Sequence, residues 1–153
     1  MKQSAGILAY RKRGELEVLL VHPGGPFYKN KDEGVWSIPK GEYTTEEALG
    51  VAKKEFTEET GNVINAKDFL RLSDIIIKSG KKISAWAVEC DFDTPFLKSN
   101  LFEMEWPPKS GKMASFPEAD KAEWHSMREA RIKIHPGQVG FLDQLEIILV
   151  KKS

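Results

Sequence analysis

Cysteine is nearly absent from this chain, which has 153 residues and a single thiol, Cys90. One cysteine cannot form an intrachain disulfide. Cys90 stands in an apolar run without a neighbouring histidine, so we expect an inert core thiol. Long hydrophobic runs are also missing, because no stretch approaches the roughly 20 apolar residues that cross a bilayer. The apolar stretch after Lys2 is too short for a signal peptide. We therefore expect a cytoplasmic protein with no membrane partner.

An excess of charge of one sign is absent as well. Lysine and arginine together number 23, and aspartate and glutamate also number 23. This balance supplies no basic field of the kind that gives non-specific affinity for nucleic acid, so we expect no nucleic acid duplex as a partner. The length, with 41% hydrophobic residues, predicts one compact domain over residues 1–153. A monomer and a homodimer are both compatible with this composition.

The hydrophobic pattern predicts a sheet built from short apolar runs that are bounded by turn residues. The predicted strands cover residues 4–10, 16–22, 36–38, the two arms of a hairpin at 69–90, and 121–127. A charged turn at residues 11–15 joins the first two strands, and a loop rich in proline and glycine follows at 22–35. We expect the hairpin, with residues 79–82 as its connection, to form the centre of the sheet.

A helix is predicted over the glutamate-rich segment that follows this loop. Thr44 and Glu47 have the spacing of a capping box at its start. Gly61 stands where a left-handed residue ends a helix. Both ends of the helix are therefore marked in the sequence.

Two further helices are predicted near the end of the chain. Ser126 and Glu129 form a second capping box before a short helix, and apolar residues at helical spacing over 141–149 predict an amphipathic one. The long irregular segment at residues 91–118 predicts a functional loop rather than a simple connection.

Three acids of the first helix, Glu55, Glu58 and Glu59, are three and four residues apart and therefore share one patch of its surface. The patch borders the buried stripe marked by Leu49 and Phe56. Carboxylates held near apolar surface take up protons unless a cation satisfies them. Oxygen ligands favour a hard ion, so we expect Mg²⁺ or Mn²⁺ here.

The segment from Gly41 to Gly61 resembles the Nudix box, whose pattern is Gly, five residues, Glu, seven residues, and Arg-Glu-apolar-x-Glu-Glu-x-Gly. Lys-Glu-Phe-Thr-Glu-Glu-Thr-Gly, beginning at Lys54, matches the second half with lysine in the arginine position. In the family that arginine orients the acids, and lysine carries a point charge in place of a planar fork. The spacer after Gly41 is one residue short, so Glu46 or Glu47 takes the position of the first glutamate.

The resemblance extends over nearly the whole chain, to a bacterial Nudix subgroup described as diadenosine-tetraphosphate-hydrolase-like. The segments that carry it are SAGILAYRK, LEVLLVHPGGPF, GVWSIPKGEY, EMEWPP, FPEADKAEW and FLDQL. It implies an α/β fold, an α/β/α sandwich around a mixed sheet. A shared fold does not specify the substrate.

The resemblance also implies roles for individual residues. Glu55, Glu58 and Glu59 match the acids that bind the metal, and the backbone carbonyl of Lys40 or Gly41 matches a ligand from the preceding loop. Family members often add one acid from a loop shortly before a tryptophan that opens a strand.

Glu118, six residues before Trp124, fits that description best, and Glu103 and Glu105 are its rivals. The implied reaction is hydrolysis of a phosphoanhydride by a metal-activated water, with a glutamate of the helix or Glu118 taking the proton.

Substrate contacts are expected from residues near this segment. Lys40 and, less directly, Lys29 offer positive charge to a polyphosphate. His22, Tyr28 and Trp36 can stack on a base or serve only the fold, and Glu105 can contact the substrate.

Two other motifs point to chemistry less directly. The His-Pro-Gly-Gly-Pro-Phe turn lacks the Gly-Lys-Ser/Thr ending of a phosphate loop. Ser37, His125 and Asp143 supply the residue types of a hydrolytic triad, but nothing in the sequence places them together.

Three hypotheses for function follow. The first is a Mg²⁺-dependent Nudix pyrophosphohydrolase that acts on a dinucleoside polyphosphate such as diadenosine tetraphosphate. The second keeps this chemistry with a nucleoside triphosphate, an oxidised nucleotide or a nucleotide sugar as the substrate. The third is a nucleotide-binding module that has weak or no catalysis, which the short spacer after Gly41 and the lysine at position 54 would permit.

Overall fold

The computed structural model describes residues 2–91 and 100–152. The strands are β1 (Gln3–Arg13), β2 (Glu15–Pro23), β3 (Lys40–Tyr43), β4 (Leu70–Arg71), β5 (Ile75–Ile76), β6 (Lys82–Glu89), β7 (Leu101–Glu105), β8 (Met113–Pro117) and β9 (Ala119–Ser126). The helices are α1 (Ala48–Thr60), α2 (Met127–Lys133) and α3 (Val139–Lys152), and a 3₁₀ turn covers Pro136–Gln138. In these described residues, none of the helices has the length and apolar character that a membrane span requires.

Strand β1 is the centre of the main sheet, whose described strands run in the order β4-β6-β1-β2-β9. It pairs in parallel with β6 and antiparallel with β2, and β3 pairs with its first residues. The prediction that the hairpin at 69–90 forms the centre is wrong, because only its second arm, β6, lies inside the sheet. Its first arm is broken into β4 and β5, which both pair with the outer edge of β6.

Both faces of this sheet are covered by helices, as the alternation along β1 requires. Ala5, Ile7 and Ala9 belong to a core cluster that includes Phe56 of α1. Leu8 and Tyr10 face the other way, into a cluster with residues of α2 and α3. A strand that is buried on both faces has to be apolar throughout, which explains the unbroken run in this segment. The predicted α/β/α sandwich around a mixed sheet is confirmed.

The first two strands are longer than predicted, and the turn between them is shorter. Pairing continues to Arg13 and Glu15, so the chain reverses at Gly14, which has a φ of 78°. Arg11, predicted in the turn, is a buried strand residue whose guanidinium Nε donates to Glu17 Oε1 at 2.7 Å. The ion pair allows a charged residue to continue the strand.

Helix α1 does not begin with the predicted capping box. The N-cap is Glu47, whose carboxylate accepts from the backbone N–H groups of Leu49 and Gly50. Thr44 instead donates from its N–H and its hydroxyl to Oε1 of Glu46, which shapes the turn before the helix. The capping box was wrong because the neighbouring carboxylate of Glu46 competes for Thr44.

Other predicted helix ends are confirmed. Gly61 has a φ of 75° and donates its N–H to the carbonyl of Thr57, as a left-handed C-terminal residue does. Ser126 is the N-cap of α2 and accepts from the N–H of Glu129 at 3.2 Å. The C-terminal helix α3 is also present.

The segment predicted as one irregular functional loop contains a hairpin in its described part. Among the strands that the structure describes, β7 and β8 pair only with each other, and we call residues 101–117 the hairpin arm. Phe102, on one face of the arm, comes within contact distance of Gly25 in the loop after β2, and Phe27 packs edge-to-face on Trp106 with their ring centroids 5.8 Å apart. The remainder of the prediction, over residues 92–99, lies outside the described residues.

Candidate active site

Helix α1 carries two glutamates, Glu55 and Glu59, that lie close to a third acid, Glu118. We call these three residues the acid cluster. Carboxylate oxygens of Glu55, Glu59 and Glu118 all lie within 4.8 Å of one another. The helix is fixed in this orientation because Ala52 and Phe56 are fully buried against the sheet. Glu55 and Glu59 are one helical turn apart, so they come to the same edge.

Glu118 reaches the cluster because two backbone bonds fix the chain just before β9. Its carbonyl accepts from the N–H of Gly24 at 3.0 Å, and its own N–H donates to the carbonyl of Asn100 at 2.9 Å. A Cβ atom on Gly24 would stand 1.9 Å from the carbonyl oxygen of Pro117, so glycine is required for this approach. The turn that contains Gly24 therefore positions Glu118, and its N–H is not available as part of a phosphate cradle.

Glu59 is the most deeply buried acid of the cluster, with 8% of the residue exposed. Burial, together with the charge of Glu55, raises the pKa of Glu59 to about 8, and the charge of Lys40 and its backbone hydrogen bond limit this rise. Oxygen Oε2 of Glu59 has no hydrogen-bond partner among the described residues. Burying a carboxylate oxygen without a hydrogen-bond partner costs free energy unless a cation contacts that oxygen.

Glu55 lies directly against the backbone of Gly41 in β3. A Cβ atom on that glycine would come within 2.3 Å of Cγ of Glu55. Burial raises the pKa of Glu55, and the charges of Glu58 and Glu118 raise it further. Gly41 thus allows the carboxylate to lie between the strand and the helix.

These three acids have the chemistry of a divalent-cation site. They supply only oxygen, at mutual distances that one ion can span, and Oε2 of Glu59 is buried without a hydrogen-bond partner among the described residues. Burial is the largest cause of the raised pKa of both helix acids, and neighbouring carboxylates, Glu118 among them, contribute a repulsion that a cation would offset. The residues therefore fit the predicted divalent ion.

Glu58, the third predicted acid of the helix, does not join this cluster in the structure. Its Oε2 accepts from the side-chain amide of Asn100 at 2.9 Å. Its Oε1 lies 3.9 Å from Nζ of Lys54, whose side chain is 72% exposed. Lys54, which stands in the arginine position of the motif, is therefore a weak partner of Glu58.

The first glutamate of the motif is also outside the cluster. Oxygen Oε1 of Glu46 accepts hydrogen bonds from the backbone N–H groups of Thr44 and Thr45, and these bonds lower the pKa of Glu46 to about 2. Glu47 caps the helix. The turn formed by residues 44–47 thus accommodates the shortened spacer between Gly41 and the helix.

A cleft of about 220 Å³ adjoins the cluster through Lys40. Tyr28, Lys81 and His135 also line this cleft. Burial and the nearby charge of Lys81 lower the pKa of Lys40. The Nζ atom of Lys81 is 3.2 Å from Oε1 of Glu42, and its side chain is 20% exposed. The cleft therefore contains two adjacent ammonium groups, those of Lys40 and Lys81, and we call it the two-lysine cleft.

Several predicted substrate contacts are placed elsewhere. His22 is 3% exposed, with Nδ1 at 2.7 Å from Asp120 Oδ1 and Nε2 at 2.6 Å from the carbonyl of Lys31, so neither ring nitrogen is left for a nucleotide. Glu105 accepts from the N–H groups of Lys109 and Gly111 and shapes the tip of the hairpin arm.

Trp36, which was open to either role, is buried, and its indole N–H donates to Asp32. Cys90 is half-buried, and burial raises the pKa of its thiol to about 11, as expected for an inert thiol.

Sequence reasoning missed three residues near the site: Lys81, His135 and Asn100. Lys81 was assigned only to a hairpin connection, and no motif marked His135. Asn100 was part of the segment predicted as a loop. Each approaches the site from a distant part of the chain, so no local spacing indicated it.

Comparison with solved structures shows the same fold in proteins of low sequence identity. The binary complex of a C. elegans Ap4A hydrolase is similar with a TM-score of 0.70 and 19% identity, over 97% of this chain and 98% of that one. The NUDIX domain of Shewanella oneidensis NrtR, complexed with ADP ribose, has a TM-score of 0.69 and 13% identity, over 96% and 87% of the two chains. The E. coli ORF135 protein has a TM-score of 0.57 and 18% identity, over 97% and 91%.

Sequence comparison gives the family. No curated protein sequence matches the chain significantly. The family model described as the NUDIX domain matches residues 1–145, which include every strand, the acid cluster and the two-lysine cleft. The chain therefore belongs to the NUDIX domain family.

Proposed function

We propose that this Nudix pyrophosphohydrolase cleaves a dinucleoside polyphosphate, such as diadenosine tetraphosphate, with Mg²⁺ or Mn²⁺ as its cofactor. The observation that carries the proposal is the juxtaposition of the acid cluster with the two-lysine cleft, joined at Lys40. The similarity to an Ap4A hydrolase supports this choice of substrate, as does the resemblance to the bacterial subgroup.

Glu55, Glu59 and Glu118 would hold the divalent ion, with the backbone carbonyl of Lys40 or Gly41 as the ligand from the loop. When bound, the ion lowers the pKa of a water and neutralises charge that builds on the transferred phosphoryl group. Glu58 lies beside the cluster and keeps a partly exposed carboxylate, so we assign it as the acceptor of the proton of that water, with Glu118 as the second choice.

The two lysines of the cleft are assigned to the polyphosphate. Lys40 and Lys81 bring like charges together where solvent is reduced. The ion pair of Lys81 with Glu42 offsets only part of this repulsion, since the pKa of Lys40 is still lowered. Phosphate oxygens would relieve this repulsion and lie next to the acid cluster. Tyr28, which is 39% exposed, and His135 line the same cleft and are assigned to the nucleoside.

A nucleotide sugar is the second candidate substrate. The observation in its favour is the NrtR NUDIX domain, which has a similar fold and is complexed with ADP ribose. In this chain, cleavage of a nucleotide sugar would use the same acids and the same cleft, so only the products distinguish the two candidates. The same assay also detects cleavage of a nucleoside triphosphate or of an oxidised nucleotide, and it would show binding without turnover as the absence of any product.

The test is a product analysis by chromatography with Mg²⁺, with Mn²⁺ and with a chelator. Diadenosine tetraphosphate should give ATP and AMP, ADP ribose should give AMP and ribose phosphate, and a nucleoside triphosphate should release pyrophosphate. Faster cleavage of ADP ribose or of a triphosphate would replace the proposed substrate. Turnover that persists in chelator, or in Glu59→Gln protein, would contradict the proposed mechanism.

The cleft is tested separately with Lys81→Met. This variant should raise KM for diadenosine tetraphosphate about tenfold or more, because one charge-assisted contact to phosphate is lost. Lys78→Met is the matched control, since Lys78 is exposed, lies three residues away and is not part of the cleft. Equal KM values for the two variants would remove Lys81 from the substrate site.

A further inference from the structure

Asn100 contacts two acids of the site at once. Its side-chain amide donates to Oε2 of Glu58 at 2.9 Å, and its backbone carbonyl accepts from the N–H of Glu118 at 2.9 Å. Glu58 is 42 residues away along the chain, and it belongs to the helix that carries Glu55 and Glu59. One residue therefore connects the helix acids with the acid that comes from the strand side.

The position of Asn100 in the fold gives this connection its importance. Asn100 precedes the hairpin arm and Glu118 follows it, so the bond between their backbones closes the base of the arm. The side-chain amide then joins this closed base to helix α1. A change in the side chain of Asn100 leaves the backbone bond to Glu118 in place and removes the side-chain bond to Glu58.

An amide is well suited to hold an acid that has to stay charged. It donates a hydrogen bond without neutralising the carboxylate, whereas a lysine or arginine would compete with a divalent ion. Asn100 is also the closer of the two partners of Glu58, because Nζ of Lys54 is 3.9 Å away and largely in solvent. Most of the restraint on the Glu58 carboxylate therefore comes from Asn100.

We propose that Asn100 is a positioning residue of the metal site. It holds the carboxylate of Glu58, which is not one of the three clustered acids, next to Glu55, so that the negative charge of Glu58 adds to the attraction for a cation. This rests on the proposed function as far as catalysis is concerned, but the effect on the metal site itself does not require turnover. Substitution of a residue that orients a metal-site carboxylate typically lowers metal affinity or activity by about 10- to 100-fold.

The test measures Mn²⁺ affinity by electron paramagnetic resonance on wild-type protein, Asn100→Ala and Glu58→Ala, and on the double variant. Asn100→Ala should weaken Mn²⁺ binding about tenfold. In the Glu58→Ala background the same change should add less than about twofold, because the group through which Asn100 acts is gone. Ser115→Ala is the matched control on the exposed face of the hairpin arm and should leave the affinity unchanged.

A second variant, Asn100→Leu, keeps the volume of the side chain and removes only its polar atoms, so a folded protein is available if alanine loosens the arm. Unchanged Mn²⁺ affinity in both variants would overturn the proposal, and so would an equal loss in the presence and absence of Glu58. If the substrate is turned over, kcat should fall about tenfold in Asn100→Leu with KM within about twofold. If wild-type protein turns over no nucleotide, the proposed function fails, and the Mn²⁺ measurement alone decides the role of Asn100.

Discussion

Gly41 and Glu55 lie in such close contact that the strand residue can have no side chain. A Cβ atom at Gly41 would stand 2.3 Å from Cγ and 2.5 Å from Cδ of Glu55. The glycine of the motif thus creates the space in which an acid of the candidate metal site lies.

Gly41→Ala should therefore displace Glu55 and reduce kcat/KM about 100-fold, because a displacement of about 1 Å at a reacting centre has an effect of that size. Overpacking should also lower the free energy of unfolding by about 1–3 kcal/mol. Gly50→Ala is the control, since its Cβ would meet only Oε1 of Glu47 at 3.6 Å. That change should stabilise helix α1 by up to about 1 kcal/mol without loss of activity. Equal activity in the two variants would contradict this account of Gly41.

The protonation of Glu59 should make the stability of the metal-free protein depend on pH. Its pKa rises from an ordinary value of 4.5 to about 8 in the folded state, mainly through burial. The folded protein therefore binds more protons than the unfolded chain between these values, and the free energy of unfolding should fall as pH rises from about 4.5 to about 8.

Denaturant unfolding in the presence of chelator measures this dependence. The contribution of Glu59 should be on the order of 5 kcal/mol across the window, and Glu59→Gln should remove it and be the more stable protein at pH 8. A wild-type protein whose stability is flat or rises over this window, in parallel with Glu59→Gln, would show that Glu59 is ionised without a metal.

Metal binding should release a proton from the same residue. At pH 7 the metal-free protein holds Glu59 largely protonated, whereas a bound ion requires the carboxylate. Titration with Mn²⁺ at pH 7 should release about one proton per ion, and the number should decline above pH 8. Calorimetry in two buffers of different ionisation enthalpy counts these protons. Release that stays constant from pH 7 to pH 9 would place the proton elsewhere.

The two partners Lys54 and Glu58 should contribute very unequally to activity. Glu58→Gln keeps the shape and its acceptor for Asn100 but removes the charge, so turnover should fall at least about 100-fold while the protein stays folded. Lys54→Ala should lower kcat/KM less than about threefold, because an exposed pair at 3.9 Å is a weak restraint. Steady-state kinetics with circular dichroism as a control for folding would decide, and an active Glu58→Gln protein would defeat the mechanism.

Stability measurements can distinguish the two possible caps of helix α1. Glu47→Ala should lower the free energy of unfolding by about 1 kcal/mol, because two backbone N–H groups lose their acceptor. Thr44→Ala should have an effect below about 0.5 kcal/mol, since the N–H groups that bind Glu46 remain. Thermal denaturation at one pH compares the two, and a larger loss for Thr44→Ala would restore the capping box predicted from the sequence.

Local features of the chain could be predicted well from the sequence. The period of four between Glu55 and Glu59 indicated their common edge, and Gly61 marked the end of the helix because only local backbone geometry is involved. The α/β/α layers were implied by the family resemblance, and the structure shows that β1 is apolar on both faces, as these layers require. The motif itself correctly indicated the NUDIX family.

Features that depend on competition or on distant contacts could not be predicted in this way. Thr44 has the right spacing for a cap, but Glu46 is nearer and takes its hydrogen bonds. Glu58 has the spacing of its two neighbours, and its hydrogen bond to Asn100 becomes visible only when the chain has folded. Glu118 came from the resemblance alone, because no periodicity connects residue 118 with residue 59.

The closed base of the hairpin arm has a consequence for engineering and for divergence within the family. Leu101 pairs directly with Pro117, and the flanking residues Asn100 and Glu118 are joined by a backbone bond. An insertion, a deletion or a grafted loop between Leu101 and Pro117 therefore need not change the distances between the acids, because these contacts hold the base of the arm closed. The tip of the arm can therefore vary in length and sequence while Glu118 keeps its place beside the helix acids.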